Sequence, residues 1–169
     1  MKTKLFLKIS LGALFLIWAI LFLVINHKYK SPNIIESDYQ VYHNGISYEL
    51  LDVEVKKNVD EEALNDGLGE NIEYVITVKV NNTSEAQKID LSEVVLYRTD
   101  YSNCVALDYY YDENEDVSLY LEAGEEKIYK FPFIIYQNLF TDKQWKNIEN
   151  SDWKLLLNLY PEKIMLDIS

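Results

Sequence analysis

One cysteine, two histidines, five glycines and three prolines in 169 residues set the first bounds on this chain. A single thiol, Cys104, closes no intramolecular disulfide, and without spaced cysteines there is no framework for structural zinc or an iron–sulfur cluster. Nucleophilic chemistry has little to work with, because a Cys or Ser nucleophile needs a base at hydrogen-bond distance. The histidines are His27, in a polar stretch that follows an apolar run, and His43, beside a turn dipeptide. There is no G-x-S-x-G, no H-E-x-x-H and no glycine-rich phosphate loop. Cys104 reads as a buried or idle thiol.

Basic charge is also scarce once the N-terminus is set aside. The first thirty residues hold five lysines and no acid, so residues 31–169 keep 11 Lys and Arg against 28 Asp and Glu, a net charge of −17. Nucleic-acid binding needs clustered cations that displace counterions from phosphates, and a field of this sign repels them. Nucleic acid is therefore excluded as a partner. These residues suit one domain with its own core and are few for two. A chain with so many acids always offers some carboxylate pair, so their presence alone gives glycoside hydrolysis no support.

What the sequence does have is one long apolar run. Residues 9–25 (ISLGALFLIWAILFLVI) carry no charge, and residues 5–7 extend the run if Lys8 snorkels toward the headgroups. At about 1.5 Å per residue this reaches roughly 30 Å, the hydrocarbon thickness of a bilayer. A secretory signal peptide looks similar, but the run leads into NHKYKSPN with no small-residue cleavage pair, and no cysteine near residue 25 offers a lipidation site. The expectation is an uncleaved signal anchor with residues 1–8 as a short basic cytoplasmic segment. Lys2, Lys4 and Lys8 before the run nearly balance His27, Lys28 and Lys30 after it, so charge alone barely orients the span. Anchors of this form feed the secretion machinery, which puts the C-terminal domain outside the cytoplasm. Residues 26–37 read as a stalk and residues 38–169 as the domain.

The domain opens with Tyr39, Val41 and His43 on one face, followed by Asn44-Gly45, which supplies the two positive φ angles of a type I′ turn. In the second arm Ile46, Tyr48 and Leu50 face one way and Leu51, Val53 and Val55 continue one residue out of step, which predicts a β-bulge near Leu50. Residues 73–80 (EYVITVKV) form the clearest strand, with Tyr74, Ile76, Val78 and Val80 on one face. Further β-type runs cover residues 94–98, 105–111, 117–121, 126–136, 153–160 and 164–168. In the fourth of these Tyr129, Phe131, Phe133 and Ile135 face inward, and Pro132 places the strand at an edge or a bulge. One helix is predicted over residues 142–149, where Thr141 and Gln144 have capping-box spacing and Phe140 and Trp145 staple spacing. Eight or nine short strands at this spacing predict a mainly all-β sandwich with one short helix, preceded by a single transmembrane helix.

Two stretches carry candidate binding residues. Asp112, Asn114 and Asp116 place oxygen ligands at alternate positions, the first half of a calcium-loop spacing, although position six is Val117 and position twelve Ala123. The bland alternative is a solvated acidic loop. A second acidic stretch, residues 59–70, shares a cation with the first only if the two lie at one end of the domain. Tyr109, Tyr110 and Tyr111 precede the first acidic run in a chain with 14 tyrosines, and such a cluster offers a partner-binding surface or strand residues with at least one face turned to the core.

The opening strand Asn44-Gly45-Ile46 with its Leu51-Asp52-Val53 continuation resembles the immunoglobulin-like accessory domains of Gram-positive membrane-anchored proteins and lipoproteins of unknown function. So do the strand from Tyr74 to Val80 leading into Asn81-Asn82-Thr83-Ser84, and Leu121-Glu122-Ala123-Gly124-Glu125 before the aromatic strand. The resemblance implies an immunoglobulin-like sandwich and binding rather than catalysis. The functional expectation is a membrane-anchored, extracytoplasmic, non-catalytic module that binds an unidentified protein or cell-wall partner, with calcium as the one cofactor considered. The alternative is a membrane-tethered inhibitor or immunity protein that neutralises a basic secreted effector.

Overall fold

The computed structural model of this chain describes residue 12, residues 14–25 and residues 33–169. The chain divides into two units, Met1–Pro32 and Asn33–Ser169. In the first, residues 14–25 are helical, and every large apolar side chain from Leu14 to Ile25 is more than half exposed. Among the described residues no helix is long and apolar enough to cross a membrane. Residues 9–11 and 13 of the expected span lie outside the described residues, as do residues 26–32 of the expected stalk.

The second unit is a β-sandwich. One sheet runs in the order β1 (Asn33–Ser37), β11 (Glu162–Asp167), β10 (Lys154–Asn158), β6 (Val95–Arg98) and β7 (Tyr101–Cys104). The other runs β2 (Gln40–His43), β3 (Ile46–Lys57), β4 (Asn71–Asn82) and β9 (Glu126–Tyr136). β5 (Gln87–Lys88) and β8 (Tyr120–Leu121) form a small two-stranded ribbon. Strand alternation builds the core directly: Ile72, Tyr74, Ile76, Val78 and Val80 of β4 and Tyr129, Phe131, Phe133 and Ile135 of β9 turn one way and are buried. Leu96, Trp153, Leu155, Leu157, Ile164 and Leu166 belong to the same core. Each fully buried side chain of this kind contributes about 1.5–3 kcal/mol through apolar surface removed from water.

Local signals behave as the sequence predicts at several points. Asn44 and Gly45 have φ of 48° and 77° and join β2 to β3, and the β3–β4 register shifts between Leu50 and Asp52, leaving Leu51 unpaired. Thr141 and Gln144 form the reciprocal capping box, and the Phe140 and Trp145 rings stand 6.0 Å apart. β9 is an edge strand, where the absent N–H of Pro132 breaks no ladder bond.

Three expectations need correction. Residues 33–37, assigned to the stalk, are β1, paired parallel to β11 from Asn33–Glu162 to Ser37–Leu166. Residues 105–111 are not a strand: Leu107–Glu113 is a helix. Among the described residues of this second unit the expected single α-helix is one of three, Glu61–Asn65, Leu107–Glu113 and Asp142–Trp145, and the last is shorter than predicted, giving way to a 3₁₀ turn at Ile148–Asn150.

Candidate functional site

The helix Leu107–Glu113 arises from how its ends are tied. The Ala106 N–H donates to the Pro132 carbonyl at 2.8 Å, while the Asn114 amide donates to the Lys130 carbonyl at 2.9 Å and its oxygen accepts from the Lys130 N–H at 2.9 Å. Nine residues, eight steps of chain, thus start and finish opposite two residues of β9. Extended, they would run roughly 26 Å, against about 7 Å of strand to cover, so the segment must coil. Tyr110 drops into the core and stacks on Phe131 at 6.4 Å between ring centroids. The Asn103 amide donates to the Ile134 carbonyl at 2.6 Å, so outward-facing groups of the β9 edge are closed by two asparagines and one backbone N–H.

The same helix brings the two acidic stretches together. Asp60 caps the helix Glu61–Asn65 by accepting from the Ala63 N–H at 3.1 Å, and its other carboxylate oxygen accepts from the Tyr136 hydroxyl at 3.0 Å. The buried Asn71 side chain brackets the Asp60 backbone, accepting from its N–H at 3.0 Å and donating to its carbonyl at 2.8 Å. Burial pushes the Tyr136 hydroxyl up to about 12, reinforced by the hydrogen bond to Asp60. Tyr109, on the helix, is also raised, by burial first and then by the charges of Asp60, Glu73, Asp108 and Asp112. Between them lies a hollow of about 320 Å³ lined by Cys104, Ala106, Asp108, Tyr109, Ile134 and Tyr136, among others. Asp60, Glu61, Glu62, Asp108 and Asp112 lie in none of the ion pairs among the described residues. The result is an aromatic hollow with Asp108 in its lining, Asp60 bonded to its Tyr136 and Asp112 near enough to act on its Tyr109, none of the three in an ion pair among the described residues.

Beneath the helix is a charge cluster on the outer face of the second sheet. The Lys56 ammonium lies 2.6 Å from Glu113, 3.6 Å from Glu73 and 3.8 Å from Glu54, and Lys130 reaches Glu113 at 3.0 Å. Hydrogen bonds from both lysines hold the Glu113 carboxyl below the usual range. Glu73 behaves in the opposite way: burial pushes its carboxyl up, against the pull of Lys56.

Residues 38–164 match the family model described as a domain of unknown function, DUF5028. The chain belongs to this family. No curated protein matches it. Two solved structures are similar at low identity. One is a functionally unknown protein from Listeria monocytogenes EGD-e, with a TM-score of 0.49 and 11% identity over 70% of this chain and 69% of that one. The other is an uncharacterized β-sandwich protein from Clostridium difficile 630, with a TM-score of 0.43 and 12% identity over 83% of this chain and 97% of that one. At these scores neither likeness adds to what the DUF5028 strands show by themselves.

The DUF5028 domain leaves one of the predicted calcium residues exposed and gives the other two separate partners. Asp112 is exposed on the helix, Asn114 has its amide engaged by Tyr110 and Lys130, and Asp116 pairs with Lys127 at 3.0 Å while accepting from the Ser118 N–H at 2.9 Å. Among the described residues no group of three or more His, Cys, Asp or Glu is placed to hold a metal ion. The alternation that suggests ligands is used to end a helix and clasp an edge strand. Of the tyrosine cluster, Tyr110 is core, Tyr111 is exposed and Tyr109 lines the hollow. Cys104 is a free thiol and exposed, not buried. Sequence reading missed Tyr136 and Glu73. Their signal is the outer face itself, where apolar Val75 and Ile134 flank Glu73 and are buried, so something must lie over them.

Proposed function

We propose that this DUF5028 chain is a membrane-anchored, extracytoplasmic binding module of the immunoglobulin-like accessory kind. It takes a basic segment of a partner protein on the hollow of Tyr109 and Tyr136, and it is not an enzyme. The observation that carries this is the meeting of Asp60, Tyr109 and Tyr136, which sets two large amphipathic rings beside Asp60 and Asp108, carboxylates that join no ion pair among the described residues. Tyrosine provides contact area at low entropic cost, and complementary charge raises the association rate and selects against anionic partners. The anchor reading draws on the uncharged run of residues 9–25 and on its described helical part, which is apolar on all sides. The test is crosslinked capture from intact cells with the full chain and with Tyr109→Ala combined with Asp108→Asn. A partner retained by the native chain and lost with the folded variant is the expected result. Recovery of nothing above background by a well-folded native chain overturns it, and a C-terminal tag inaccessible to protease from outside the cell overturns the topology.

The net charge of −17 also favours a second reading, a tethered inhibitor or immunity protein whose partner is a basic secreted effector. A neighbouring gene whose basic product is toxic, and whose toxicity this chain relieves, separates it from the first.

A further inference from the structure

We infer that Glu73 is a proton-operated latch for the helix Leu107–Glu113. Protonated, it leaves Lys56 to hold Glu113; ionised, it competes for Lys56 and loosens the helix that carries Tyr109. The inference rests on the binding reading only in that this helix bears part of the proposed surface.

Glu73 sits mid-sheet, paired with Lys56 of β3 on one side and Ile134 of β9 on the other, and is 2% exposed. Its Oε1 is buried and has no hydrogen-bond partner, and its Oε2 is 3.6 Å from the Lys56 ammonium. A buried carboxylate normally has its lone pairs met by donors, so an ionised Glu73 is poorly accommodated here. The charge count agrees. The groups facing Glu73 are Glu54 and Lys56 from β3, Glu113 and Tyr109 from the helix, and, through Glu113, Lys130 of β9. Two ammonium groups therefore oppose the three carboxylates of Glu54, Glu73 and Glu113, leaving one negative charge in excess. Glu113 is held ionised by both lysines, and Glu54 is more than half exposed to water. The proton that relieves the excess goes to Glu73.

The helix depends on this balance because of where Glu113 lies. It is the last helical residue, where the partial negative charge of the helix end disfavours a carboxylate, and the last turn has no basic residue of its own. Its seat on the sheet is therefore supplied by Lys56 and Lys130. An ionised Glu73 divides Lys56 and adds like-charge repulsion beneath Glu113. The Glu73 carboxyl is raised by burial, so the proton leaves at a higher pH than from an ordinary carboxylate. The helix is then seated most firmly on the acid side of that titration and least firmly above it.

The test uses the full chain in detergent micelles. Carboxyl NMR follows Glu73, and hydrogen-exchange protection factors follow the amides of residues 110–113 across the same pH range in the native chain, in Glu73→Gln and in Glu113→Gln. The expected result is that Glu73 titrates above the other carboxylates, that protection of the helix falls several-fold as it ionises, and that both variants abolish this fall. Titration of Glu73 in the ordinary range, constant protection through its titration, or a fall that persists in Glu73→Gln overturns the latch. Should Glu73→Gln not fold, a fall that persists in Glu113→Gln overturns it equally. Exchange needs no partner, so failed capture with an intact latch counts against the binding reading alone.

Discussion

Lys154 of β10 is 7% exposed, and its ammonium meets Asp152 and Asp167 at 2.7 Å and Glu36 at 2.9 Å. These contacts tie β1, β10 and β11 together on the outer face of the first sheet, so Lys154→Met tests what holds β1 in place. The Asp167 carboxyl is pushed up by burial, but hydrogen bonds from Lys154 and Ser169 outweigh this and hold it at about 2, against an ordinary 3.8. A shift of about two units corresponds to about 2.5 kcal/mol. Asp167 keeps 31% of its side chain exposed and its Ser169 hydrogen bonds survive the substitution, so Lys154's share falls to about 1–2 kcal/mol. Asp152 and Glu36, more exposed still, add about 0.5 kcal/mol each. The expected loss at neutral pH is about 2–3 kcal/mol, below the figure for a fully buried pair broken on one side.

The pH dependence follows from the sign of the Asp167 shift. A carboxyl depressed in the folded state contributes stability above its unfolded value and loses it as pH falls through its folded value. The gap between native chain and Lys154→Met should hold steady from neutral pH to about pH 4 and close between there and about pH 2. Urea unfolding of both proteins at matched ionic strength reads it. A gap under about 0.5 kcal/mol at neutral pH, or one unchanged at the acid end, refutes the reasoning.

Asn114→Ala should destabilise the domain by about 2 kcal/mol in thermal unfolding, because it strands the N–H and carbonyl of Lys130. It should also raise light scattering with concentration, since the β9 edge then lies open to another strand. Thr141→Ala removes the capping-box acceptor for the Gln144 N–H and should cost about 1 kcal/mol by the same assay. Calcium in place of chelator, at constant ionic strength, should leave the melting temperature unchanged, because Asn114 and Asp116 are already engaged; a rise would mean that the acidic turn binds the ion in preference to those partners.

The sandwich is legible in the sequence wherever one face of a strand is buried and the other wet. β4 alternates from Thr77 to Asn82 and β9 from Ile128 to Phe131, away from the helix that covers their other halves, and the Asn44-Gly45 turn and the Leu50 bulge leave local marks, because φ angles and register are set within a few residues. β1 is not legible. Asn-Ile-Ile-Glu-Ser has no period, Ile34 stays exposed, and what holds it in the sheet is pairing with a strand some 130 residues away in sequence and the Lys154 contact.

The helix Leu107–Glu113 shows a different limit, and it is the one that matters for function. Three consecutive tyrosines fit either period, and tyrosine favours strands, so propensity points the wrong way. The helix follows from a distance constraint between Ala106 and Asn114, which exists only once β9 is an edge in need of closing. That one tertiary requirement places four residues at once: Asn114 as a clasp, Tyr110 in the core, Tyr109 at the hollow, and Glu113 above Glu73. Local pattern therefore finds the layers of this fold, while the candidate site belongs to the closure of an edge. A variant that reopens the β9 edge, such as Asn114→Ala, should disturb the Tyr109 surface before it disturbs the core, with exchange at residues 107–113 rising while that of β4 stays protected.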